Sequence, residues 1–207
     1  KGGTNAENHN HNDVGSYAVA LGSETMVGDQ GGPNSYPGDY FNGDAPQKYK
    51  IKGSFGHPVP VVDGRTQSSG GKAKGVVLQK EFTNEKDVFS IDYTSAYSTP
   101  NLDKLIRTFV YDRQGKGNFT VGDEFTAKTP IRFETAITTR ADWKVLDDTH
   151  LLLATDSEQM IVAIDASGKV AFTSETIEVN SPAYTRIGIA LKNQSKEGYI
   201  RLKMYTK

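Results

Sequence analysis

Leu105-Ile106-Arg107-Thr108-Phe109-Val110-Tyr111 and Phe119-Thr120-Val121-Gly122-Asp123-Glu124-Phe125-Thr126 are two runs rich in β-branched and aromatic residues, with turn residues between them. Such runs read as strands. Working outward, the same pattern recurs at Ile131–Thr139, His150–Ala154, Met160–Ile164, Val170–Thr176, Arg186–Leu191 and Tyr199–Tyr205. Upstream it recurs at Val88–Tyr93, Lys74–Phe82 and Val59–Val62, and a hairpin of Ser16–Leu21 and Thr25–Asp29 turns at Gly22-Ser23-Glu24. Helical periodicity is nearly absent, and the one hint of a helical turn is Thr99-Pro100-Asn101-Leu102-Asp103-Lys104. About a dozen short strands at regular spacing predict an all-β fold, a large antiparallel β-sandwich. Residues 30 to 49, with Gly31-Gly32-Pro33, Tyr36-Pro37-Gly38 and Gly43-Asp44, form a long loop. Long loops in compact domains are often functional.

A chain of 207 residues suits one such domain, here residues 1–207. No stretch approaches the roughly 18 apolar residues of a membrane span. The formal charge of −1 supplies no field that would gather nucleic acid from a distance. With no cysteine there are no disulfides and no thiolate metal sites, and the redox compartment stays open. No charged segment followed by an apolar run marks a signal peptide. The chain reads as a piece of a larger protein, because its most unusual motif begins only eight residues in.

That motif is Asn8-His9-Asn10-His11-Asn12-Asp13. Six consecutive polar residues cannot form half of a sandwich core, so they belong on a surface or in a polar cleft. Two histidines two apart are compatible with metal ligation, and neutral imidazole with a carboxylate suits zinc. Asp29, at the end of the hairpin's second strand, and His57, before Pro58, are candidate further ligands, although the gaps between them are long. The bland alternative is that His9 and His11 are solvated loop residues.

The run Asn8-His9-Asn10-His11-Asn12-Asp13-Val14-Gly15-Ser16-Tyr17 resembles the signature of heparinase II/III-like polysaccharide lyases. Asp29-Gln30-Gly31-Gly32, a following tyrosine (Tyr36 or Tyr40), His57 and Val62-Asp63-Gly64-Arg65-Thr66-Gln67 occur in that family's order. Asp92-Tyr93-Thr94-Ser95-Ala96-Tyr97 and Arg107-Thr108-Phe109-Val110-Tyr111 resemble its later sheet. The resemblance implies the β-sandwich portion of an enzyme that cleaves uronate-containing polysaccharides, glycosaminoglycan or alginate-like, by β-elimination. It also implies that an N-terminal α/α toroid, absent from this chain, is the partner domain and carries a catalytic tyrosine and an asparagine or histidine. His9 matches the family's sandwich histidine and is the catalytic candidate, as general base or charge stabiliser. His11, Asp29 and His57 match a structural zinc site, with Asn10, Asn12 or Asp13 behind it. Family habit places such proteins in the periplasm or outside the cell.

Two expectations follow. On a regular strand His9 and His11 would point to one face, so the backbone there must be irregular if one meets substrate and the other a metal. The three candidate ligands must also converge. The rival is a non-catalytic carbohydrate-binding or structural sandwich. Tyr36 and Tyr40 are candidates for stacking on sugar rings. His150 follows a turn and reads as inert, Arg107 as the partner of a carboxylate, and Lys72, Lys74 and Lys80 as a solvated face.

Overall fold

A computed structural model of the chain describes residues 1–7, 9–29, 32–33, 35–179 and 181–207. Asn8 of the histidine run and Gln30-Gly31 after Asp29 lie outside the described residues. In chain order the strands are β1 (Thr4–Asn5), β2 (Val19–Leu21), β3 (Glu24–Val27), β4 (Val61–Val62), β5 (Gly70–Lys74), β6 (Val76–Phe82), β7 (Lys86–Asp92) and β8 (Leu102–Asp112). They continue with β9 (Asn118–Ile131), β10 (Phe133–Thr139), β11 (Asp142–Asp147), β12 (His150–Ala154), β13 (Gln159–Ala166), β14 (Val170–Val179), β15 (Ser181–Leu191) and β16 (Ser195–Thr206). Helix among the described residues is confined to α1 (Ala45–Lys48) and two single turns, and none is long and apolar enough to cross a bilayer.

An antiparallel eight-stranded sheet, ordered β11-β12-β13-β16-β9-β8-β7-β6, and a four-stranded sheet, β14-β15-β10-β4, make the sandwich. Two ribbons, β1-β5 and β2-β3, flank it. Alternation explains why the large sheet has one wet face: Ile200, Leu202 and Met204 of β16 are buried while Arg201 and Lys203 are exposed. Val121 and Phe125 on β9 join them, and Phe125 stacks on Phe133 of β10 with ring centroids 4.6 Å apart. That contact joins the two sheets through one apolar cluster. β10 is buried almost throughout because strand β3 packs over it: Thr138 and Thr139 hydroxyls donate to the Gly28 and Met26 carbonyls.

Several boundaries differ from the sequence reading. The expected Lys74–Phe82 strand breaks at Gly75, so Lys72 and Lys74 lie on β5 and Lys80 on β6, all exposed. The helical hint at 99–104 gives way to strand β8 from Leu102, which pairs with Ala127 of β9. Cross-strand pairing overrides local preference there. β11 was not foreseen, because its exposed, polar-rich edge carries little apolar alternation.

Candidate metal centre and the cleft beside it

None of the described residues from 6 to 18 lies in a strand, and His9 has a φ of 59°, in the left-handed region that non-glycine residues seldom adopt. The irregular backbone that the motif required is therefore present. The turn is pinned on both sides. Asn12 N–H donates to the Lys52 carbonyl at 3.0 Å, and its side-chain amide donates to Ser69 Oγ at 2.9 Å. Ser16 Oγ donates to the buried Asp13 carboxylate at 2.8 Å. Burial alone would raise the pKa of Asp13, but the nearby His57 ring and Lys1 ammonium, with the bonds from Lys1 and Ser16, hold it below the usual value. Asn12 and Asp13 thus hold the loop.

His11, Asp29 and His57 come together, with one ligating atom of each within 4.8 Å of the others. Three separate elements deliver them. His11 leaves the turn just described. Asp29 follows β3, where Gly28 N–H donates to the Thr138 carbonyl of β10 at 3.0 Å. His57 follows a 3₁₀ turn, Ser54–Gly56, and is completely buried.

The hydrogen bonds of His57 fix its chemistry. Its Nε2 lies 2.9 Å from the Ile51 carbonyl and 3.1 Å from His11 Nδ1. A carbonyl only accepts, so Nε2 carries a hydrogen, and in the neutral imidazole Nδ1 then carries the lone pair. That Nδ1 is buried with no hydrogen-bond partner among the described residues, and it faces Asp29 Oδ1 at 3.6 Å. In that form two electron-pair donors face one another, an arrangement suited to a cation between them. Burial, and secondarily the neighbouring His57 ring, lowers the pKa of His11 to about 4. His11 is therefore neutral at pH 7 and keeps a lone pair, as ligation requires. Its Nε2 lies 3.3 Å from Tyr40 Oη, whose own pKa is pushed up to about 12, mainly by burial.

The histidine two residues earlier faces outward. His9 is exposed and meets the edge of Phe41 at a centroid distance of 4.8 Å. It lines a polar cleft of about 270 Å³ with Asn5, Glu7, Asn12, Phe41 and Lys52 among the walls. His9 and His11 are therefore turned to different surroundings, one to an open cleft and one to a half-buried cluster. Of the two tyrosines, Tyr36 is 57% exposed and has a ring face to offer. Tyr40 is only 2% exposed and packs against Tyr36, Phe41 and Tyr49, so the expectation that it stacks on sugar is corrected. As folded it supports His11 instead. Lys52 and Asn5, at the floor of the cleft, carried no signal in the sequence. Arg107 pairs with a carboxylate, Asp123, and His150 sits on the surface 3.0 Å from Asp147.

No family model and no curated protein matches this sequence. Solved structures do match. A heparinase III crystal structure superposes with a TM-score of 0.73 at 18% identity, over 94% of this chain and 30% of that one. A heparinase III gene product with methylated lysines gives 0.75 at 14% identity, over 100% and 32%. Heparan sulfate lyase HepC from Pedobacter heparinus gives 0.74 at 13% identity, over 95% and 31%. The chain spans about a third of the length of these structures, and it has the fold of that part of heparinase III.

Proposed function

We propose that this chain is the β-sandwich part of a polysaccharide lyase that cleaves uronate-containing polymers by β-elimination, with a zinc ion held by His11, Asp29 and His57. The observation that carries the reading is the buried Nδ1 of His57, without a hydrogen-bond partner among the described residues and facing the Asp29 carboxylate at 3.6 Å, with neutral His11 alongside. Tetrahedral zinc with bonds of ~2.0–2.2 Å separates its ligand atoms by roughly 3.3–3.6 Å. The His57–Asp29 pair is already at that spacing, and His11 has about 1 Å to close. Bound there, zinc would be a structural tie between the His9 loop, the segment after β3 and the His57 turn.

In β-elimination the C5–H bond of the uronate breaks and its electron pair forms the C4–C5 double bond. The C4–O glycosidic bond breaks, and the leaving oxygen takes a proton. His9 is the residue of this chain that meets the reacting atoms. Its imidazole stands in an open polar cleft, two residues from the cluster that would fix its backbone. There it either receives the C5 proton or steadies the developing charge on the carboxylate. The remaining acid–base groups belong to the α/α toroid that the resemblance implies. This chain alone is therefore expected to release no unsaturated uronate.

The direct experiment is zinc content by mass spectrometry in the purified chain and in His11→Ala. About one zinc per chain, lost in the variant, sustains the proposal. A wild-type chain that stays empty in excess zinc would leave a carbohydrate-binding sandwich as the better reading. In the full-length protein His9→Ala should lower kcat by about 10²–10⁴-fold without loss of zinc.

A further inference from the structure

The floor of the His9 cleft holds two groups whose bonding is incomplete. Asn5 is 4% exposed, and its amide nitrogen donates to Gln67 Oε1 at 3.0 Å and to the Ser68 carbonyl at 2.9 Å. Gln67 is itself fixed, since its Oε1 accepts from Val14 N–H and its Nε2 donates to the Val14 carbonyl. Both partners of the Asn5 nitrogen are therefore acceptors, and the amide cannot be turned over. Its Oδ1 is left buried, without a hydrogen-bond partner among the described residues, in a residue that lines the cleft.

Lys52 is the second group. It is 7% exposed and lines the same cleft. Its ammonium donates to the Tyr40 carbonyl and stands 4.9 Å and 5.1 Å from the ring centres of Tyr40 and Phe41. An ammonium has three donors, and no carboxylate pairs with this one among the described residues. Glu7, also on the cleft, is exposed and accepts from Thr4 Oγ1 instead. A buried cation without an anion is costly unless a ligand supplies one.

We propose that Lys52 is the specificity-determining residue of this cleft, taking the acid group of one sugar unit, while Asn5 Oδ1 accepts a hydroxyl of the same unit. The assignment rests on the lyase reading and sharpens it, by naming which side chains select an acidic sugar next to His9. The acid is a carboxylate or a sulfate, since an ammonium binds either.

The test is titration of the chain, followed by NMR, with three probes: a glucuronate-containing disaccharide, its carboxyl-reduced form, and the carboxyl-reduced form carrying an O-sulfate. The wild-type chain should prefer an acidic probe over the neutral one by about tenfold, and the preference should shrink with salt. Lys52→Gln should abolish that ratio and Lys52→Arg should keep it. Asn5→Ala should weaken acidic and neutral probes equally. The ratio matters because Lys52 also holds the Tyr40 loop, and a merely structural role would weaken all probes alike. A salt-dependent preference in the wild-type chain supports the proposal even where a variant fails to fold, and the probe preferred identifies the acid. No preference in the wild-type chain, or a preference that survives in Lys52→Gln, overturns it. Zinc content separates the two ideas: zinc present with no acid preference defeats only this assignment, while acid preference without zinc defeats the metal reading and leaves Lys52 standing.

Discussion

Two clusters of charged and polar groups lie within the sandwich, and they are finished to different degrees. Around Arg107 every donor is used. Nε and Nη2 each reach a different oxygen of Asp123 at 2.7 Å, and Nη2 also reaches Thr135 at 3.2 Å. Nη1 reaches the carbonyls of Gly15 at 2.8 Å and Pro58 at 2.7 Å. Tyr93 and Thr135 hydroxyls complete the coordination of Asp123. Burial opposes the charge of Arg107, yet Asp123 and the neighbouring phenols hold its pKa above the ordinary value. Around His57, by contrast, one buried nitrogen has no hydrogen-bond partner among the described residues and faces a carboxylate. A closed network needs nothing further, whereas an open one of lone pairs suits a cation. The two are also joined, because Gly15 and Pro58 flank the segments that carry His11 and His57. Arg107 thus braces the frame in which the open cluster sits.

The largest effect should come from opening the closed network. Asp123→Asn leaves a buried guanidinium without its counter-charge, and about 3–5 kcal/mol of unfolding free energy should be lost in denaturant titration, with or without zinc. Replacing both partners, as Arg107→Met with Asp123→Leu, should restore much of that stability. The double variant still lacks the bonds to Gly15 and Pro58, so its zinc affinity should fall. If its zinc affinity matches the wild type, the bracing role is wrong. Next in size is metal removal. At free zinc 100 times its Kd, chelation should lower stability by about 2.7 kcal/mol, and should leave His11→Ala unmoved. Tyr40→Phe comes third. Loss of the hydroxyl beside His11 Nε2 should weaken zinc by about tenfold, as for other partners that orient a ligating imidazole. An unchanged affinity would return Tyr40 to plain packing.

How much of this was legible depends on what each residue's neighbours are. Strands such as β9 and β16 alternate buried and exposed side chains, so their period is written in the sequence. β11 could not be read that way, because it is an exposed edge strand whose existence depends on pairing with Leu151–Ala154. His9 and His11 stood out because histidines amid asparagines make no core, whereas Asp29 and His57 were weak by spacing and gained weight only from the family resemblance. Tyr40 was legible as a site residue but not as a buried one, since burial depends on Tyr36, Phe41, Tyr49 and Lys52 closing around it. Lys52 was illegible altogether. Nothing in Lys50-Ile51-Lys52-Gly53 separates the two lysines, and only the fold turns one to Glu175 and the other to the cleft.

The smallest effect is also the sharpest test of the contrast, because its sign should reverse with metal. In the zinc-free chain Asp29→Asn exchanges a carboxylate that faces the lone pair of His57 Nδ1 for an amide that can donate to it. A buried acceptor gains a hydrogen bond, worth about 0.5–1.5 kcal/mol, so the zinc-free variant should be as stable as the wild type or slightly more so. In the zinc-loaded chain the same change removes an anionic ligand, and affinity and stability should both fall. Denaturant titrations of the two proteins, each with chelator and with zinc, give the four values needed. Destabilisation of equal size in both states would mean that Asp29 serves the fold through its own contacts, and the cluster would then be closed in the same sense as the one around Arg107.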